Sequence, residues 1–140
     1  MPDVIAFDAD VIGRNRTGDE TVAVGLLSAV ARRDDLPFTV LAYVRDPDAV
    51  PEAITASGAV RAVAVDAGNY RRVAVSLPTR LRADRPALYH GNYILPPGLT
   101  CPGVVTVHDS SYRFAPELMP RGLGRRGRLR RGVRAALRRG

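Results

Sequence analysis

The sequence predicts an α/β domain: a parallel sheet with helices on both faces. Short β-branched or apolar runs alternate with helical patterns, the signature of βαβ units. The runs lead directly into polar, Gly- and Pro-rich loops, and ligands bind beyond the carboxyl ends of such strands. The chain has 140 residues, 46% of them apolar. That is one domain's length and enough to bury a core, since a 150-residue domain hides about 68–70% of its unfolded surface.

Val4–Phe7 is an apolar run followed by Asp8 and Asp10, a buried strand by pattern. From Asp19 the spacing turns helical. Val22, Leu26, Leu27, Val30 and Ala31 are expected to share one apolar face, with Asp19 and Glu20 in the first turn and Arg32 and Arg33 in the last, which suits the helix dipole. Pro37–Val44 is β-branched and aromatic, hence a strand. Pro47–Ser57 reads as a short helix stopped by Gly58, and Val60–Val65 as a third strand. Asn69–Arg85 is helical, with Pro78 expected to kink or break it. Two further strands follow, Ala87–Tyr89 and Gly103–Val107, each ending in a histidine: His90 before Gly91, His108 before Asp109. Gly122–Arg139 reads as a last helix, with Leu129, Val133, Ala136 and Leu137 at helical spacing. The order β-α-β-α-β-α-β-β-α predicts a Rossmann-like sheet.

Charge is unevenly placed. There is no lysine, and the net charge of +7 comes entirely from arginine. Residues 1–120 hold twelve arginines against fourteen acids, whereas residues 121–140 hold nine arginines and no acid. The expected organisation is therefore a near-neutral body, 1–120, with an Arg-rich helical tail, 121–140, belonging to the same domain. The tail admits three readings: nucleic-acid phosphate, anionic lipid, or a solvated helix face. The last ranks first. Nucleic acid is not expected, because the tail has no aromatic residue to stack on bases. An anionic membrane surface met through Arg125–Arg139 stays as a partner reading. Cys101 is the only cysteine, so no internal disulfide forms, which fits a reducing compartment. No signal peptide and no 18-residue apolar run are present, so the expected location is cytoplasmic, peripheral at a membrane if the tail engages one.

Several motifs are excluded on chemistry. Gly13 and Gly18 have the glycine spacing of a phosphate-binding P-loop, but Asp19 and Glu20 stand where lysine and serine or threonine are required, and carboxylates repel phosphate. Asp8-Ala9-Asp10 has the look of a haloacid dehalogenase phosphatase signature. That chemistry also needs a lysine-type cation and a later acidic pair, whereas the only acids past Asp84 are Asp109 and Glu117. His108-Asp109 leaves three readings open: a metal site with His90, a hydrolytic triad, or a polar dyad that touches a ligand at a strand end. No ligand-spacing motif supports the first, and no nucleophile elbow supports the second. No metal and no cofactor are expected.

Three stretches carry a family resemblance. Arg16-Thr17-Gly18-Asp19-Glu20-Thr21, running into Val24–Ala31, is similar to a glycine-bearing loop and first helix. Leu88–Pro97 is similar to a strand-end segment of the form HG…NY…PP, and Val104–Asp109 to a strand reading VVTVHD. In this order they resemble the N-terminal domain of retaining family-4 glycosyltransferases, whose GT-B fold pairs two Rossmann-like domains. The resemblance implies hexosyl transfer with retention, from a nucleotide sugar as co-substrate to a glycan, lipid or small-molecule acceptor. It implies that His108, with Asp109 as partner, contacts the donor sugar near its reacting carbon. It further implies that Arg16, Thr17 and Gly18 approach donor phosphate or acceptor, and that His90 and Asn92 line the acceptor side. Asp19-Glu20 departs from the pattern, where many members have a small residue and then glycine. The family continues past its basic helix into a second, nucleotide-gripping domain, so this chain reads as the acceptor-side half, inactive alone. The runner-up reading is a non-catalytic sugar- or partner-binding module with a membrane-surface tail.

Overall fold

The computed structural model describes residues 3–15, 17–65 and 68–108. The chain divides into two units, Met1–Thr106 and Val107–Gly140. All strands and helices described below belong to the first.

In chain order the elements are β1 (Asp3–Asp8), α1 (Thr17–Ala31), β2 (Phe38–Val44), a 3₁₀ turn (Pro47–Ala49), α2 (Glu52–Thr55), β3 (Val60–Ala64), α3 (Asn69–Arg71), a π-helical turn (Arg72–Ser76), α4 (Leu77–Asp84), β4 (Leu88–Asn92) and β5 (Gly103–Thr106). The five strands form one sheet in the order β3-β2-β1-β4-β5, every neighbouring pair parallel. This is a Rossmann-like α/β fold, as the alternation of patterns predicts. β2 is buried along its last five residues, as befits a central parallel strand covered on both faces.

Each face of the sheet has its own core. On one face Phe7, Val40, Ala42 and Val60 pack with Ala23 and Leu27 of α1 and Ile54 of α2. On the other, Ala6, Leu41, Tyr43 and Tyr89 pack with Leu77 and Leu81 of α4. The period-2 alternation of strand side chains separates the two sets.

Four expectations need correction. α1 does not bury Val22 and Leu26: they are 49% and 41% exposed, while Ala23 and Leu27 are 1% exposed and Val24, Val30 and Ala31 pack beside them. The helix is apolar around most of its circumference, so spacing does not select a face. The small Ala23 lets the helix axis approach the sheet, and Val22 lies about 100° away around the helix. Arg32 and Arg33 fall just past the helix end, although their amides still bond to Ser28 and Val30 carbonyls. The predicted helix at Pro47–Ser57 is a 3₁₀ turn and a single α turn, divided at Pro51. Finally, His90 lies inside β4, because pairing with β5 extends that strand through Asn92, opposite Thr106.

Pro78 acts as expected but through a specific device. It has no N–H to offer the carbonyl of Ala74, and its ring crowds that carbonyl. The chain responds with a π turn over Arg72–Ser76, immediately before α4, in which Pro78 occupies the first turn. The predicted helix at Gly122–Arg139 and the boundary at residue 120 lie outside the described residues.

Candidate functional site

The sheet grows from β1 towards β2 and β3 on one side, and towards β4 and β5 on the other. The carboxyl ends of β1 and β4 therefore form the topological switch point, where open α/β sheets bind ligands. Two loops rise there, described over residues 9–15 after β1 and residues 93–102 after β4.

The first loop is folded by its own backbone. Ile12 and Arg14 amides bond to Ala9 and Val11 carbonyls, and Gly13 and Asn15 adopt positive φ of 77° and 53°. Gly13 is required sterically as well, since a Cβ there would lie 2.7 Å from the Ala49 Cβ. The Glu20 carboxylate, which is incompatible with a P-loop, accepts the Gly13 amide at 2.7 Å and ties the loop to α1. Gly18, in the first turn of α1, has open space where a Cβ would stand. Thr17 begins the helix, and Arg16 lies outside the described residues.

The second loop leaves β4 through a tight turn. A Cβ on Gly91 would meet the Ile94 carbonyl oxygen at 2.7 Å and the Tyr89 ring at 3.0 Å. Tyr93 takes a left-handed φ of 65°, and the Ile94 amide bonds back to the Asn92 carbonyl. The Tyr93 hydroxyl donates to the Asp19 carboxylate at 3.5 Å, so the start of α1 and the β4 turn share one edge of the sheet.

Alternation in β4 splits its side chains between the two faces. His90 and Asn92 are on the face of α1. The His90 ring packs on Phe7 with centroids 5.0 Å apart, and its Nε2 lies 2.6 Å from the Thr106 hydroxyl of β5. The Asn92 amide donates to the Asp8 carbonyl at 2.6 Å, joining the ends of β4 and β1. These bonds set the shape of the switch point from within.

On the face of α4 the same edge carries charge. Arg72, from the π turn, is 3% exposed. Its Nη2 donates to the Asp8 carboxylate at 2.7 Å and to the Tyr43 carbonyl at 3.1 Å. Its Nε is buried 3.3 Å from Asp10, within ion-pair range but without a hydrogen bond. Asp10 is also met by Arg45 Nε at 2.5 Å and Arg14 Nη1 at 2.7 Å, and Arg45 reaches on to Asn69. Burial opposes ionisation of Asp10, but Arg45, Arg72 and Arg14 outweigh it and hold the carboxyl below its usual range. Tyr89 donates to Asp8 at 3.3 Å and Tyr43 to Asp84 at 2.8 Å. Burial pushes both phenols well above their ordinary pKa, and the carboxylates of Asp8 and Asp84 reinforce this.

Asp8 and Asp10 are thus committed to guanidinium groups, which argues against their use as phosphatase nucleophile and acid. Among the described residues no group of three or more His, Cys, Asp or Glu is arranged to hold a metal ion. No described helix is long and apolar enough to cross a membrane. Of the residues singled out in the sequence, Gly18, His90 and Asn92 share the carboxyl edge of the sheet. His108 stands in a bend two residues after β5, within the second unit. Asp109 and the stretch Arg125–Arg139 lie outside the described residues. Sequence reasoning missed Arg72, Arg45 and Thr106. The only pointer to the first two was a pair of strand-end acids that needed cations. No protein-family model matches this chain, and no curated protein matches it.

Proposed function

We propose that this domain forms the acceptor-side half of a glycosyl-transfer cleft, moving a hexosyl group from a nucleotide sugar with retention. The observation that supports this most is the shared edge. The uncluttered Gly18 turn and the β4 turn meet through Tyr93 and Asp19 at the switch point of a 3-2-1-4-5 sheet. In this reading an acceptor rests over Gly18, between the two loops. His90 and Asn92 act as its floor, held by Thr106 and Asp8. His108, with Asp109, donates a hydrogen bond to the donor sugar as charge develops in an oxocarbenium-like state. Catalysis rests on positioning and electrostatics, with no resident cofactor.

The test is turnover with a panel of nucleotide hexoses, by the chain joined to a donor-binding α/β domain. The expected product keeps the anomeric configuration of the donor, and His108→Ala lowers turnover by about 10²–10³-fold, the usual loss for one electrostatic donor. Near-wild-type turnover in that variant removes His108 from the reaction.

One observation favours a second reading, a non-catalytic sugar- or partner-binding module. His90 and Asn92 spend hydrogen bonds on the fold itself. Sugar binding without transfer under the same conditions would select it. Peripheral membrane attachment through Arg125–Arg139 is tested separately, by co-sedimentation with anionic vesicles at low salt. No binding there removes the tether.

A further inference from the structure

The outward face of α1 is apolar and, among the described residues, uncovered. Val22 and Leu26 are 49% and 41% exposed, Gly25 and Ala29 are exposed beside them, and a Cβ on Gly25 would meet nothing within 4 Å. With 3.6 residues per turn, these side chains form successive layers along one stripe: Gly18/Asp19, Val22, Gly25/Leu26, Ala29, Arg32/Arg33. The stripe is charged only at its ends, acidic at the start and basic at the finish.

Its order has a symmetry. Reversed about the Gly25/Leu26 layer, the stripe maps onto its own complement. Val22 then faces the small Ala29 of a second helix, Leu26 packs into the gap at Gly25, and Asp19, which also accepts the exposed Tyr93 hydroxyl, faces Arg32 with Arg33 beside it. A two-fold interface requires this self-complementarity, in which the same patch is used twice in opposite directions. Arg33 is engaged with Asp35 at 2.6 and 2.7 Å, but both side chains are more than half exposed. Exposed pairs of this kind contribute little, so the exchange is cheap.

We propose that this face docks a second copy of the chain, α1 against α1 in antiparallel, around a two-fold axis between Gly25 and Leu26. A single helix pair covers less than the roughly 800 Å² per partner of a standard interface, so the dimer is a dissociable one in the micromolar range. The inference does not rest on the glycosyl-transfer reading, although the stripe begins at Gly18 and Asp19, beside the edge where that reading places an acceptor.

Sedimentation velocity of the 140-residue chain over a concentration series is the test. Wild type is expected to shift from monomer to dimer, and Leu26→Glu to weaken association at least tenfold with an unchanged far-ultraviolet spectrum. Arg33→Glu weakens it, and Asp19→Arg combined with Arg33→Glu restores it. In a Cys101→Ser background, Leu26→Cys forms an intermolecular disulfide on mild oxidation, because a residue beside the axis lies next to its own copy. A chain that is monomeric throughout, or a dimer indifferent to Leu26→Glu, overturns the proposal. In the monomeric case, a Leu26→Cys thiol protected from alkylation would mean that the face is covered within one molecule.

Discussion

The two faces of the sheet's carboxyl edge solve the same problem in opposite ways. Strand ends at a switch point leave polar groups without ladder partners. On the α4 face they are neutralised by charge, with Arg72 buried between Asp8 and Asp10, and Arg45 and Arg14 closing the cluster. On the α1 face they are satisfied by neutral hydrogen bonds, His90 to Thr106 and Asn92 to the Asp8 carbonyl. The first arrangement is closed and structural. The second leaves open space where a Cβ on Gly18 would stand, and the proposed function puts its ligand there. The proposed function therefore does not draw on the most conspicuous concentration of charge.

Substitution should reveal this asymmetry, and the ionic face should show the largest effect. Arg72→Met leaves two partly buried carboxylates without their central partner. It is expected to cost about 3–5 kcal/mol, read as a fall in the urea midpoint at constant slope. A loss under 1 kcal/mol would mean that Arg45 and Arg14 alone suffice. Gly91→Ala drives a methyl into the Ile94 carbonyl and the Tyr89 ring, and should cost about 1–3 kcal/mol by the same measurement. Asn92→Ala removes one neutral bond on the α1 face and should cost about 1 kcal/mol. Equal losses for Arg72→Met and Asn92→Ala would erase the contrast between the faces.

Acid sharpens the contrast further. The Asp10 carboxyl is held below its unfolded value by the arginines. Its contribution is therefore complete above the unfolded pKa of about 3.9 and is lost as pH falls through the lower, folded value. Asp10→Asn should flatten the acid limb of a stability–pH profile, whereas Asn92→Ala should leave its shape unchanged. The smallest effect is expected at Arg33, whose pair with Asp35 is exposed. At concentrations that keep the chain monomeric, Arg33→Ala should shift stability by no more than about 0.5 kcal/mol.

The alternation of apolar runs and helical spacing made the strand order of types legible, and Pro78 marked the place where the α4 helix changes register. What stayed hidden was partnership. Asp8 and Asp10 were visible as acids at a strand end, but nothing in the letters told which arginine reaches them across 64 residues. α1 misled for a different reason, since a helix that is apolar almost all round has no single face for spacing to reveal. His90 was displaced by pairing: the extent of β4 depends on β5, a contact that local sequence does not encode.

The proposed function requires ligands to enter at the β1–β4 edge, over Gly18. Amide chemical shifts of the isotopically labelled chain, followed during titration with hexoses and nucleotide hexoses, address it directly. Changes are expected at Gly13, Gly18, Gly91 and Tyr93, and none at Gly58, which precedes β3 at the opposite edge. Changes centred on Gly58, or a sugar that binds while Gly18 and Tyr93 stay unmoved, would contradict it.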